Sequence, residues 1–135
     1  METTKTIYKG NLRTEMTHIR SGSVVVTDAP VDNKGKGEHF SPTDLVASAL
    51  GSCILTIMGI AAQEHGFSID GTSCSITKIM AENPRRIGEV KIEFDFKANT
   101  FTDKQKKILE YCVKTCPVAL SLHESVKQNV TLLFD

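Results

Sequence analysis

Residues 41–66 read SPTDLVASALGSCILTIMGIAAQEHG, and this stretch decides how the rest of the chain can fold. Its start has the chemistry of a helix N-terminus. Ser41 can accept hydrogen bonds from the first turn, and Pro42 suits the first helical position. Asp44 stands three residues after Ser41, an acidic variant of the capping box. His65 falls in the last turn, and Gly66 suits the left-handed residue that ends a helix. No charge occurs between Leu45 and Ala62, and the hydroxyls there are Ser48, Ser52 and Thr56. A surface helix would carry a polar face. This one is expected to be a central helix buried on nearly all sides, with the thiol of Cys53 near its middle.

A charge-free run of this length also meets the requirement for a membrane span. Gly51, Gly59 and several Ala and Ser residues keep it only mildly apolar. The capping box before it and the amphipathic strand after it suit a protein core, so no membrane partner is expected. With 135 residues the chain makes a single domain over residues 1–135, or one half of a tightly shared dimer. One small sheet and one further helix offer little cover for so apolar a helix, which argues for a homodimer.

Sixteen basic residues balance 16 acidic ones, and no basic block occurs, which argues against nucleic acid as a partner. The N-terminal METTKTIYKG lacks an apolar signal region, so a cytoplasmic location is expected. In that compartment Cys53, Cys74, Cys112 and Cys116 are expected to be reduced, as catalytic or buried thiols.

Outward from the central helix, residues 5–8 and 12–19 read as short strands around a Gly10-Asn11 turn, with Ser23–Thr27 as a third. In the second strand Leu12, Thr14, Met16 and His18 share one face. Residues 28–40, DAPVDNKGKGEHF, form a polar loop that either lies across a cleft or merely connects. Beyond Gly66, residues 73–80 alternate weakly and 82–86 turn. Val90, Ile92, Phe94 and Phe96 then alternate with charged residues, the pattern of a strand with one buried face. Thr102 and Gln105 open a second helix with a capping box, and Ile108, Leu109, Cys112, Val113 and Cys116 form its apolar stripe. Pro117 ends it and starts a short helix over Val118–Val126, followed by a closing strand over Asn129–Phe134. Grouped strands and helices in this order predict an α+β fold with antiparallel sheets.

Conventional catalytic motifs are absent, and His18, His39, His65 and His123 lack metal-ligand spacing, so neither a metal nor a cofactor is expected. Thiol chemistry remains. Cys116 precedes Pro117 and can cap the following helix, where the helix dipole favours a thiolate. The alternative, which the local sequence favours, is a small buried apolar residue at a kink. A mid-helix thiol such as Cys53 is inert in apolar surroundings unless a cation reaches it. His18 and Arg20, at the end of an N-terminal strand, are the candidates. Cys74 and Cys112 read as structural.

The motifs FSPTDLVASALGSC and CPVALSLHESV, in this order and separated by strands and an amphipathic helix, resemble the OsmC/Ohr family of thiol-dependent peroxidases. The resemblance covers nearly the whole chain. It implies an OsmC-like fold, antiparallel sheets around long central helices, in an intertwined dimer with sites at the subunit interface. It also implies that Cys53 attacks a hydroperoxide and becomes a sulfenic acid. Cys116 then condenses with it to a disulfide, which a dithiol reductant reopens. Where those peroxidases carry a glutamate ten residues before the first cysteine, this chain has Thr43, with Asp44 beside it. The expected function is reduction of small hydrophobic organic peroxides in oxidative-stress defence. A ligand-binding module that keeps the fold but has lost the tuned thiol is the alternative, and Thr43 is the feature that favours it.

Overall fold

The computed structural model describes residues 1–97 and 99–134. The chain divides into two compact units, Met1–Val46 and Ala47–Asp135. Its mixture of sheets and helices is the expected α+β class.

The first unit is an antiparallel meander of β1 (Thr4–Gly10), β2 (Arg13–His18) and β3 (Val24–Asp28). Gly10, Asn11 and Leu12 all take positive φ, so the hairpin turn extends through Leu12 and the second strand begins one residue later than expected. Register pairs Arg13 with Asp28 and Thr17 with Val24. The β1 side chains are largely exposed, including Ile7 and Tyr8, and burial in this sheet is confined to Thr27 and Asp28.

The loop after β3 folds back on its own start. Gly35 donates to Pro30 O and Gly37 to Ala29 O, at 2.9 and 3.2 Å. A Cβ on Gly35 would sit only 1.7 Å from Ala29 O, so the loop closes this tightly only with glycine there. Asp28 N donates to Phe40 O at 3.1 Å, which ties the two ends of the loop together.

Helix α1 (Pro42–Glu64) starts as expected. Ser41 N donates to Asp44 Oδ2 at 2.9 Å, and Asp44 N donates to Ser41 Oγ at 3.1 Å. Its end is a Schellman turn: Gly66 at φ 73° sends its amide to Gln63 O, and Phe67 sends its own to Ala62 O.

The second unit holds most of α1, β4 (Ser73–Ala81), β5 (Arg86–Asp95), α2 (Asp103–Thr115), α3 (Pro117–Ser121) and β6 (Lys127–Leu133). Leu50, Ile54 and Met58 of α1 join Val90, Ile92, Phe94 and Phe96 from β5 and its end, with Leu109 and Cys112 of α2, in one core. The capping box of α2 forms in both directions between Thr102 and Gln105.

Three expectations are corrected. Strand β6 pairs with β5 in parallel, not antiparallel, because the chain returns through α2 and α3 rather than through a hairpin. Helix α3 stops at Ser121 instead of Val126; Leu122 is extended, and a turn closes when Val126 N donates to His123 O. Finally, within the chain α1 is buried along one face only. Ala47, Leu50, Gly51, Ile54, Met58 and Ala62 are covered, whereas Ala49, Ser52, Thr56, Ile60 and Gln63 are exposed. By length and composition α1 could cross a membrane, but its buried stripe belongs to the core of the second unit.

Candidate functional site

The site is built from two helices that run antiparallel. Cys112 donates its thiol to Ile108 O within α2, at 3.2 Å, and approaches Ile57 O of α1 at 3.8 Å. One turn earlier on α1 stands Cys53, and one turn later along the chain from Cys112 stands Cys116. Cys116 is both the C-cap of α2 and the N-cap of α3. Its backbone is extended, as a residue before proline prefers, and this kink turns its sulfur inward, where it is 0% exposed.

There it neighbours the thiol of Cys53, which is half-buried. Burial pushes the Cys116 pKa up, and the neighbouring Cys53 pushes it further. The amides of Ala119 and Val118 pull the other way. They are too loose for a capping bond, and the net shift is upward. Cys116 is thus both the buried residue at a kink and a sulfur that faces helix amides, and burial dominates. It keeps its proton at neutral pH. All four cysteines are free thiols. Burial also raises Cys74 and Cys112, as fits structural thiols.

The other candidate residues belong to the first unit. His18, the last residue of β2, and Arg20, in the turn after it, are both exposed, and His18 Nδ1 lies 2.6 Å from Ser21 Oγ. Thr43 and Asp44 are half-buried in the first turn of α1. Asp44 serves the cap, and Thr43 Oγ1 lies 3.2 Å from Ser41 Oγ. Among the described residues no cluster of three or more His, Cys, Asp or Glu could hold a metal ion.

Sequence reasoning missed one charged centre. Arg13 makes a two-pronged contact with Asp28, Nε to Oδ1 at 2.6 Å and Nη2 to Oδ2 at 2.9 Å, and Nη2 also reaches Glu38 Oε1 at 2.8 Å. Asp28 is 2% exposed and further accepts from Glu38 N at 3.1 Å. The hydrogen bonds to Arg13 hold the Asp28 carboxyl below its ordinary range, and both carboxylates hold the guanidinium ionised. A hollow of about 420 Å³ adjoins this centre, lined by Lys9, Lys36 and His39 among others. The available signal was the pairing of Arg13 opposite Asp28 across two strands, which needs the register and not just the residues.

A family model described as OsmC-like protein matches residues 35–131, a span that contains both cysteines of the thiol pair. The chain belongs to the OsmC-like family. A crystal structure from Psychrobacter arcticus 273-4, a candidate osmotic stress induced and detoxification response protein, is 48% identical, with a TM-score of 0.94 over 98% of this chain and 96% of that one. Two more distant OsmC-like folds are organic hydroperoxide resistance proteins. The one from Legionella pneumophila is 13% identical, with a TM-score of 0.73 over 98% and 97% of the two chains. The one from Elizabethkingia anophelis, bound to thiocyanate, is 11% identical, with a TM-score of 0.74 over 100% and 98%. None of the curated proteins matches the chain.

Proposed function

We propose that this OsmC-like protein is a cytoplasmic, homodimeric, thiol-dependent peroxidase that reduces organic hydroperoxides in oxidative-stress defence. The observation that carries the reading is the proximity of the Cys116 and Cys53 thiols in an apolar surround. The Cys53 sulfur attacks the outer peroxide oxygen, the O–O bond breaks, and an alcohol leaves with a proton; Cys53 becomes a sulfenic acid. Cys116, beside it, attacks that sulfur, a disulfide forms, and water leaves. An external dithiol reduces the bridge and is itself oxidised. Apolar neighbours favour hydrophobic peroxides over hydrogen peroxide.

A positive charge would be needed to support the Cys53 thiolate. Arg20 is our first assignment and His18 the second, with Thr43 or Asp44 orienting the cation. A threonine holds an arginine less firmly than a glutamate does, because it cannot form a charge-assisted bidentate pair. The activity is therefore expected to be lower than in a glutamate-bearing peroxidase and to rise in Thr43→Glu.

The test is cumene hydroperoxide consumption with a dithiol by wild type, Cys53→Ser, Cys116→Ser, Arg20→Ala, His18→Ala and Thr43→Glu. Cys53→Ser should fall to the uncatalysed background. Cys116→Ser should lose the internal disulfide and turn over only as fast as the external dithiol reduces the Cys53 sulfenic acid directly. Equal rates for wild type and Cys53→Ser would end the enzyme reading in favour of a ligand-binding module.

A further inference from the structure

Alternate residues from Val126 onward share the inward side of β6 and its flanks, and Val126, Val130, Leu132 and Phe134 pack against the core of the second unit. The remaining residue of that row is Gln128. It stands beside Val90, which is fully buried, in the parallel register of β5 and β6. A leucine would suit such a row without polar cost, whereas a half-buried amide needs partners. Gln128 Nε2 donates to Ala119 O of α3 at 3.0 Å.

Helix α3 gains from that bond. It is five residues long, has no fully buried side chain and no side-chain cap at its N-terminus, and ends where Leu122 turns extended. No further helical turn continues past Ala119 to supply its carbonyl with an amide. Gln128 supplies a donor instead. Ala119 is thereby held from two sides. Its amide, with that of Val118, faces the Cys116 sulfur, and its carbonyl is fixed by Gln128. Val118, Ala119 and Leu122 also pack against the core. Apolar contact is non-directional, however, and does not fix how α3 turns about the kink between Cys116 and Pro117. A chain of two contacts thus runs from the sheet, through Ala119, to the thiol.

We propose that Gln128 is a positioning residue for Cys116: its bond to Ala119 sets α3, and α3 aims the Cys116 sulfur at Cys53. The proposal rests on the reading of Cys116 as the thiol that resolves Cys53. In that step the Cys116 sulfur attacks the Cys53 sulfenic acid. The S–S bond forms, the S–O bond breaks, and the hydroxyl leaves as water with the Cys116 proton. Gln128 acts through Ala119 and takes no part in the bond changes. Misplacement by about 1 Å can cost roughly a hundredfold in rate, so loss of the bond should slow disulfide closure. It should not slow reactions of Cys53 alone, because that residue stands on α1.

The test compares wild type with two variants. Gln128→Leu completes the apolar row, and Gln128→Glu keeps the shape but sets a carboxylate against the Ala119 carbonyl. The full-length reduced proteins are treated with diamide, which joins two thiols and is itself reduced to the hydrazine, so no peroxide chemistry is needed. Mass spectrometry follows the link between residues 53 and 116. Both variants should close it at least about tenfold more slowly than wild type. Alkylation of Cys53 by iodoacetamide should proceed at the wild-type rate in both. With cumene hydroperoxide and no dithiol, the Cys53 sulfenic acid should persist longer in the variants and be trapped more fully by dimedone. Circular dichroism checks folding, and Gln128→Glu decides the question if Gln128→Leu unfolds. Closure at the wild-type rate in a folded variant overturns the proposal. Equal slowing of alkylation and closure also overturns it, because Gln128 would then support the fold at large. If wild type consumes no hydroperoxide, the peroxidase reading fails, and the diamide rates still decide whether Gln128 positions Cys116.

Discussion

Cys112 approaches the backbone oxygen of Ile57 at 3.8 Å, and this contact sets the register of the two helices that carry the thiols. It puts Cys116 opposite Cys53 and directs the Cys112 sulfur into carbonyls instead. Mild peroxide treatment followed by mass spectrometry should therefore show a link between residues 53 and 116. A disulfide needs Cα atoms roughly 4.4–6.8 Å apart, so small movements of the Cys116 kink suffice. A dominant link between 112 and 116 would refute the assignment of Cys116 to Cys53.

Three thiols, Cys74, Cys112 and Cys116, have pKa values raised by burial above the ordinary 9.0. In the unfolded chain they ionise at the lower value, so above it the unfolded state sheds protons that the folded state keeps. Their contribution to stability is complete below about pH 9 and fades as pH rises through the folded values. Melting temperature should fall between pH 8 and pH 10.5, and fall less in Cys74→Ala/Cys112→Ala. Lysines and tyrosines titrate in the same window, so the difference between the two proteins is the quantity to read. Parallel curves would remove the thiols from the explanation.

The Arg13–Asp28–Glu38 centre predicts the opposite sign at acid pH. The folded-state pKa of Asp28 is depressed, so its contribution is present above the ordinary 3.8 and is lost as pH falls through the folded value. Asp28→Asn keeps the shape and removes the charge. Amide exchange in residues 29–40 should accelerate in that variant at neutral pH, and acid should change it less than it changes wild type. Unaltered exchange would show that the loop is held by its backbone bonds alone.

Gly51 and Gly59 lie on one helix and predict opposite outcomes. A Cβ at Gly51 would come within 2.5 Å of Ile76 Cδ1 and 3.2 Å of Cys74 Sγ, whereas one at Gly59 meets nothing within 4 Å. Gly51→Ala should cost about 1–3 kcal/mol by overpacking against β4. Gly59→Ala should gain roughly 0.5–1 kcal/mol by removing glycine's backbone entropy cost. Urea midpoints measure both. A loss at Gly59 would show that another surface covers it.

The exposed α1 residues Ala49, Thr56 and Ile60, and the exposed Ile7, Tyr8, Val24 and Val25 of the first sheet, leave apolar surface for a second copy. Sedimentation at micromolar concentration should give a dimer, of the extensive apolar kind found in obligate pairs. A stable monomer would end this proposal.

Local chemistry made much of the fold legible. Ser41 with Asp44, Thr102 with Gln105, and Gly66 mark helix ends within a few residues of sequence, and Val90 to Phe96 alternate clearly enough to name a buried face. Strand direction was not legible, because the alternation from Asn129 to Phe134 looks the same in a parallel or an antiparallel ladder. The exposed face of α1 was hidden for a related reason: an uncharged helix looks equally apolar whether its cover comes from its own chain or from elsewhere. At the site, Pro117 marks Cys116 as a kink residue, but nothing local joins it to Cys53. That adjacency comes from the pairing of α1 with α2. The Arg13–Asp28 contact lay beyond reach because it depends on which residues face one another across β2 and β3.

The parallel pairing of β5 and β6 has a temporal consequence. Cys116 lies on the crossover between these strands, so its meeting with Cys53 is a long-range closure that must await the return of the chain. On an emerging polypeptide, Cys53 leaves the ribosome well before Cys116, and β6 follows last of all. Until then Cys53 stands without the thiol it faces in the folded chain.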